Sequence, residues 1–463
     1  MFKPEIYKNR RENLKKILKN GKYLFLGNNE MPMNYPANGY HFRQDSNFLY
    51  FFGLNVAGMA AIIDIDDDKE IIFANDFDVD DIIWMGPQPK VKELAEKCLV
   101  FETHPFADLE KFIKNTKKQS EKINFLPPYR HDNMILLNNI LEIPFDKMKE
   151  NASVEFIKAV IELRNTKEQV EIDEIERAAK IGYLMHTVSM KNLKPEMYER
   201  EICGIMEGIS LSYGSVPSFP IIYSKNGQTL HNPYHGNKLA VGDLVLQDAG
   251  CQTDMYYASD NTRTIPVGGK YSQKQKEIYE IVFNTINSTI KLMKPGITYM
   301  SVHIRACEII AEGLKNLGIM KGDVKEAVEL GAHALFMPHG LGHMMGLDVH
   351  DMEDLGQIYV GFDEKVRPST TFGTSSVRMG RELKPGFVLT NEPGIYFIPE
   401  LIDIWKNEKK FENFINYTKI EEYRNFGGIR LEDDILITKT GSKIIGEKRI
   451  PISIEEVESI MKA

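Results

Sequence analysis

DLVLQDAGCQTDMYYASDNTRTIPV, Asp243 to Val267, is the stretch on which the fold turns. LVLQ runs apolar up to Asp248, and Asp260 precedes a second β-rich run, NTRTIPV. A turn between the two runs returns the chain as a hairpin and brings the two carboxylates together. An acid placed directly after LVLQ loses hydration at a cost unless it is paired, hydrogen-bonded or on a metal. The plainer alternative is an ordinary turn residue, the usual place for an acid beside a strand. Asp254, the third acid, is expected to face solvent from the turn.

Three further stretches carry the same signal. In VLTNEPGIYF (Val388–Phe397) Glu392 ends an apolar strand before a Pro-Gly turn. In GGIRLEDDILIT (Gly427–Thr438) period-two alternation puts Arg430, Glu432 and Asp434 on one face and Ile429, Leu431 and Asp433 on the other. There Arg430 is either a salt-bridge partner for Glu432 or part of a site. MPHGLGHMMGLDVHD (Met337–Asp351) holds His339, His343 and His350, three of the chain's 11 histidines. Its glycines argue against a regular helix and leave room for a metal or substrate to approach, a loop of hydrogen-bonded core histidines being the alternative. Acids set repeatedly into apolar strands, together with a Gly-flanked His, are hard to read as independent accidents. Asp248, Asp260, Glu392, Glu432 and His343 are donors suited to a pair of divalent ions, with no thiolate among them. Two such ions about 3.5–4 Å apart are expected to hold a bridging hydroxide and polarise a carbonyl, the logic of metal-assisted hydrolysis.

The rest of the chain frames this site. Its 463 residues call for two domains. Hydrophobic residues at 43% and charged residues at 27% are those of a globular protein. A net charge of −9 argues against nucleic acid as a partner. No run approaches the roughly 18 apolar residues of a membrane span, and the charged start MFKPEIYKNRRENLKK lacks the apolar core of a secretory signal. Cys98, Cys203, Cys251 and Cys307 are scattered without CxxC spacing, which suggests neither disulfides nor a zinc–thiolate site and fits a reducing, cytoplasmic setting.

Residues 1–20 read as a helix and Tyr23–Asn28 as a strand. Ala60–Asp66 and Glu70–Asp76 form a strand-turn-strand unit, helices are expected over 90–99 and 106–121, and strands over 99–102 and 123–126. This is an α/β domain over 1–150, in which Trp84 is expected in the core. From 151 to 463 helices and short strands alternate as an α+β domain with a sizeable antiparallel sheet. Strands are expected in FPIIYSK, LHNPYHGNKL and DLVLQDAG, and helices over Gln273–Met293 and Ser301–Leu317. Thr166 and Gln169 fit a capping box opening a long helix.

Asp248-Ala-Gly, Ser259-Asp260, His339-Gly-Leu-Gly-His343, Asn391-Glu392-Pro-Gly-Ile-Tyr396 and Ile429-Arg-Leu-Glu432-Asp-Asp, in that order, resemble the creatinase-like "pita-bread" metallopeptidases, and among them the aminopeptidase P and prolidase branch. FRQDSNFLYFFG (Phe42–Gly53) is similar to that branch's N-terminal signature. The resemblance implies a smaller N-terminal aminopeptidase P-type domain (1–150) before a catalytic pita-bread domain (151–463). It also implies hydrolysis of the N-terminal Xaa-Pro bond by two divalent ions, most often Mn(II), on Asp248, Asp260, His343, Glu392 and Glu432. Asp248 and Asp260 lie twelve apart, one more than the resemblance leads us to expect. The extra residue must sit in the turn if both acids are to share a face.

By the same resemblance Glu392 is the base as well as a ligand, and His339, His350 and His231 position the scissile carbonyl, stabilise the intermediate and shuttle protons near neutral pH. Arg430 binds substrate or anchors the site. Arg378 matches a prolidase-type arginine that engages a terminal carboxylate, unless it is a surface loop residue. Tyr396 hydrogen-bonds substrate near the site or simply packs. The resemblance further suggests a homodimer or homotetramer, with the N-terminal domain, Trp84 included, reaching a neighbour's site. Xaa-Pro dipeptidase is the close alternative, and a non-catalytic peptide-binding pita-bread module a remote one. Creatinase-type chemistry is disfavoured by the complete ligand set, and methionine aminopeptidase by the large N-terminal domain.

Overall fold

The computed structural model describes residues 1–118 and 121–462. They form two compact units, Met1–Arg164 with Glu353–Tyr359, and Asn165–Met352 with Val360–Ala463. In the first, strands β1 (Lys22–Leu26), β2 (Ala60–Asp64), β3 (Lys69–Phe73), β4 (Glu102–His104) and β5 (Ile123–Phe125) make one mixed sheet in the order β4-β3-β2-β1-β5. Its helices are α1 (Pro4–Leu18), α2 (Ser46–Phe52), α3 (Val79–Met85), α4 (Val91–Glu96), α5 (Asp108–Lys118), α6 (His131–Leu141), the one-turn α7 (Met148–Asn151) and α8 (Val154–Asn165). A division at 150/151 would assign α8 to the second domain, whereas its contacts place all but its last residue in the first unit. The strand expected over 99–102 forms over Glu102–His104, and the helix expected over 106–121 runs to Lys118, positions 119–120 lying outside the described residues.

The FRQD signature is structural here. Asp45 caps α2, accepting from the N–H groups of Asn47 and Phe48 at 2.9 Å, while Gln44 accepts from Asn28 N–H and donates to the Val56 carbonyl. This sets Phe48, Phe51 and Phe52 into the core. The expectation for Trp84 fails: it is 86% exposed on α3, a helix with no buried residue. The short helix is held by its capping box, Asp78 with Asp81, rather than by packing.

In the second unit α9 (Gln169–Asn192) and α10 (Glu199–Ser212) come first. The capping-box expectation is displaced by two residues: Glu171 accepts from the Glu168 N–H at 2.9 Å, so the helix opens after Glu168. Then come β6 (Ile222–Ser224), β7 (Leu244–Ala249), β8 (Asn261–Pro266), α11 (Gln273–Leu292) and α12 (Tyr299–Asn316). The late strands are β9 (Val388–Asn391), β10 (Gly394–Tyr396), β11 (Gly428–Arg430), β12 (Asp433–Ile437) and β13 (Ser442–Ile444). The sizeable sheet is distributed over three small antiparallel ones, β6-β7-β8, β9-β12-β13 and β10-β11. LHNPYHGNKL forms no strand, only a bridge from Lys238 to Tyr198; its asparagine, proline and glycine favour turns over a ladder.

The central hairpin keeps one register throughout. Leu244 pairs with Pro266, Asp248 with Thr262 and Ala249 with Asn261, and Gln252 still bridges Ala258. The extra residue therefore sits in the turn, where Tyr256 takes a φ of 69°, and Asp248 and Asp260 share a face. Asp254 is exposed and ion-paired to Arg177.

The His-rich segment is tied to β9 by Thr390 N–H to the His343 carbonyl at 3.0 Å and Glu392 N–H to the Leu341 carbonyl at 2.8 Å. Gly342 makes this possible: a Cβ there would lie 2.2 Å from the Thr390 carbonyl oxygen. At this position the glycine makes room for the chain's own backbone rather than for a peptide. Gly342→Ala is expected to destabilise the protein by about 1–3 kcal/mol as overpacking, read as a lower urea midpoint. An unchanged midpoint would show that β9 can simply shift.

Candidate active site

Four carboxylates and an imidazole converge in the second unit. Asp248 comes from β7, Asp260 immediately precedes β8, Glu392 follows β9 and Glu432 lies between β11 and β12. Glu432 is held at the hairpin by its N–H to the Thr262 carbonyl, 3.0 Å, and by the Thr262 hydroxyl donating to Oε2, 2.7 Å. The Asp260 N–H donates to Asp434 Oδ2 at 3.0 Å. His343 Nε2 lies 3.4 Å from Asp260 Oδ2 and 3.8 Å from Glu392 Oε1. Donor atoms of Asp260, His343 and Glu432 all fall within 4.8 Å of one another.

The network assigns the tautomer of His343. Its Nδ1 is 3.0 Å from the Met344 carbonyl, so Nδ1 carries the proton and Nε2 turns a lone pair toward the acids. That is how a metal-ligating histidine is normally oriented. His339 is placed differently. Its Nδ1 donates to the Gly340 carbonyl at 2.8 Å, and its Nε2 accepts from Tyr396 Oη at 2.9 Å. Tyr396 Oη in turn accepts from Arg430 Nη1 at 3.0 Å. Burial and the Arg430 charge bring the His339 pKa down to about 3, so it is neutral at pH 7 and does not titrate near neutrality as expected. Its position 3.9 Å from Glu392 Oε2 is kept.

Arg430 pairs with Asp248, Nη2 to Oδ2 at 2.5 Å, rather than with Glu432. The reason is lateral: β11 runs beside β8 and β7 and presents the guanidinium to the next strand. These side chains line one cavity of about 510 Å³ with His231, His350 and Arg378, and with an apolar wall that includes Phe219, Pro220, Ile222 and Val349. The His350 ring lies 3.9 Å from that of His343, centroid to centroid. Tyr396 does not line the cavity; it is fully buried, hydrogen-bonded to His339 and Arg430 and packed with the wall residue Ile222. Thr262 and the Phe219-Pro220 wall carry no sequence signal of their own, except that Thr262 is two residues past Asp260 and so shares its face, while Asp434 is signalled only by its place on the face of Glu432.

Burial first, then the Asp248 charge, raises Asp260 well above the usual carboxylate range; burial and Asp260 do the same to Glu432. Glu392 is pushed up to about 7, chiefly by burial. Asp248 Oδ1 is buried without a hydrogen-bond partner. Two guanidiniums do not balance four packed carboxylates, and the oxygen-rich donor set with one oriented imidazole fits divalent cations.

The C-terminal part, residues 173–439, matches the model of metallopeptidase family M24, and residues 7–125 match the aminopeptidase P N-terminal domain. The chain belongs to metallopeptidase family M24. As a member of M24 it is a hydrolase of the pita-bread fold, and the family implies bound divalent metal. The chain is 31% identical to the Xaa-Pro aminopeptidase of Escherichia coli over 92% of its own length and 90% of the relative's. It is 31% identical to human Xaa-Pro dipeptidase over 91% and 85%. Zinc-substituted E. coli aminopeptidase P in complex with product superposes with a TM-score of 0.80 at 30% identity, covering 100% of this chain and 99% of that one.

Acids with pKa values raised by burial predict a linked pH dependence for this M24 site. Chelator-treated protein is expected to lose stability as pH rises from about 4 through about 7, because the raised folded values mean that the protonated acids favour the fold. Metal addition should then release protons and stabilise more at pH 8 than at pH 5. Calorimetric titration in two buffers of different ionisation enthalpy, with melting curves at both pH values, checks this. A stabilisation independent of pH would sink it.

Proposed function

We propose that the chain is an Xaa-Pro aminopeptidase, releasing the first residue from peptides with proline in second position. The observation that carries this reading is the single cavity that joins five metal-type donors to an apolar wall. A proline ring offers no N–H and gains most from an apolar surface such as Phe219, Pro220 and Val349. Asp248, Asp260, His343, Glu392 and Glu432 hold two divalent ions. Mn(II) is the natural choice for carboxylate-rich donors with one imidazole. When bound, the ions activate water and polarise the scissile carbonyl.

The chain's own residues do the rest. Glu392, at the cavity beside His343, takes the proton of the attacking water and passes it to the departing proline nitrogen. His350, beside His343 at the cavity, donates to the developing oxyanion, with His231 at the exposed rim nearby. Neutral His339, fixed by Gly340 and Tyr396, shapes the wall behind Glu392, and Arg430 anchors Asp248 and Tyr396. The resident compartment is read as cytoplasmic, which four unpaired buried thiols suit. No helix among the described residues is long and apolar enough to cross a membrane. Proline-containing peptides are the partners, with a homodimer or homotetramer as the assembly. Exposed Val79, Ile83 and Trp84 on α3 support that assembly, and light scattering tests it.

One observation favours dipeptidase instead: Arg378 lines the cavity, where it can take a substrate carboxylate. Mn-loaded protein is expected to hydrolyse Xaa-Pro tripeptides at least about tenfold better, by kcat/KM, than Gly-Pro, a preference of about 1.4 kcal/mol. Cleavage confined to dipeptides would overturn the aminopeptidase reading in favour of prolidase.

A further inference from the structure

A second group of metal-type donors lies in the core of the same unit, apart from the carboxylates. His303 and Cys307 sit four residues apart on α12, on one buried face. His333, on the 3-10 turn Ala332–Leu335 that packs against α12, completes the group. All three residues are wholly buried, and one donor atom from each falls within 4.8 Å of the others. Cys307 Sγ is 3.6 Å from His303 Nε2. A shared ion with about 2.3 Å to sulfur and about 2.0 Å to nitrogen requires about 3.5–3.7 Å between them at trigonal to tetrahedral angles.

The metal-free arrangement is poorly satisfied. An S–H to Nε2 hydrogen bond accounts for Cys307 and one nitrogen of His303, and His303 Nδ1 stays without a partner whether or not an ion replaces that bond, so His333 is the residue that the metal-free state leaves unexplained. His333 makes no well-formed hydrogen bond at either ring nitrogen, although the Val328 backbone is near. Orphaned imidazole nitrogens in a dry core are unusual and call for an explanation. Burial holds both histidines neutral, with pKa values of about 3 and 4, and pushes the thiol up. Among the described residues, the titratable groups outside the cluster that act on His303 and Cys307 are His339 and the half-buried Glu308.

We propose that His303, Cys307 and His333 form a second metal site that takes one monovalent soft ion, Cu(I). Charge selects it. One thiolate neutralises a monovalent ion, whereas a divalent ion leaves a net positive charge in an apolar core. Thiolate and imidazole are also the soft donors that Cu(I) favours, and the carboxylate site has no thiolate. On binding, the Cys307 thiol gives its proton to solvent and the Cu–S bond forms, with no change in oxidation state.

The test uses Mn-loaded full-length protein, purified from copper-supplemented cells or incubated anaerobically with Cu(I) just below its melting temperature. About one Cu(I) per chain is expected, competed by a Cu(I) chelator, with sulfur and nitrogen scatterers in the copper X-ray absorption spectrum. Cys307→Ser and Cys307→Ala should each weaken Cu(I) binding by about 100-fold or more while Mn content and peptide hydrolysis stay unchanged, which shows that the fold persists. Equal copper uptake by wild type and both variants, or no uptake by wild type under either loading, overturns the site. Uptake of Zn(II) at these residues in preference to Cu(I) overturns the monovalent assignment.

Discussion

Glu392→Gln is expected to lower kcat for an Xaa-Pro tripeptide by about 10²–10⁴-fold, the range that a positioned general base contributes. The glutamine amide fills the same volume at the end of β9 and keeps the Leu341 contact, which is made by the backbone N–H. What it cannot do is accept a proton. In the metal-free chain burial lifts Glu392 to about 7, and a bound ion would favour its carboxylate, the form that accepts a proton. The acidic limb of the pH–rate profile should go with it, while KM changes little. Steady-state kinetics on protein of measured metal content decide the matter. If activity stays within about tenfold of wild type at full metal occupancy, another group is the base.

Asp260→Asn is expected to act in opposite directions on two readouts. Asp260 is buried at the centre of the donor group, 3.4 Å from His343 Nε2 and close enough to Asp248 for that charge to raise its pKa. Replacing it with a neutral amide should remove metal affinity by more than the about 10–100-fold that partners behind a ligand contribute, and hydrolysis with it. After chelator treatment at pH 8, however, the variant should melt at the same temperature as wild type or higher, because one uncompensated buried carboxylate is gone. The backbone N–H to Asp434 survives the change, so the hairpin has no separate reason to loosen. Metal analysis together with paired melting curves tests both halves. A variant that is less stable in the chelated state would mean Asp260 is chiefly structural.

The five donors could be read before any coordinates because each breaks a local rule. An acid at the end of an apolar strand, or a histidine among glycines, conflicts with burial, and such conflicts concentrate at functional sites. Alternation likewise separated Glu432 from Asp433: the former faces the cavity, and the latter is bound by Arg263 and Arg449 on the other side. The misses have a common cause. Trp84 was assigned to a core because large aromatics usually are, but its helix is held by a cap and buries nothing. The sequence leaves Arg430 either as a salt-bridge partner for Glu432, its neighbour along the strand, or as an anchor of the site; the structure pairs it with Asp248, 182 positions away. Tyr396, which the sequence leaves either hydrogen-bonding near the site or packing, closes a chain between Arg430 and His339.

From the amino-acid order alone came the two-part organisation, the hairpin carrying Asp248 and Asp260, the donor set and the hydrolytic family it resembles. These depend on period-two patterning and on the cost of burying charge, which act within a few residues. Tertiary structure decided which side chains meet. The uninterrupted register from Leu244 to Gln252 put the extra residue in the turn and both acids on one face. Backbone contact across Gly342 set His343 beside Glu392. The i, i+4 spacing sets His303 and Cys307 on one face of α12, and the packing of a 3-10 turn on that helix brought His333 to them, which nothing along the chain announces. Pairing between distant segments is fixed by register and packing, and neither is written in the composition or periodicity of either segment by itself.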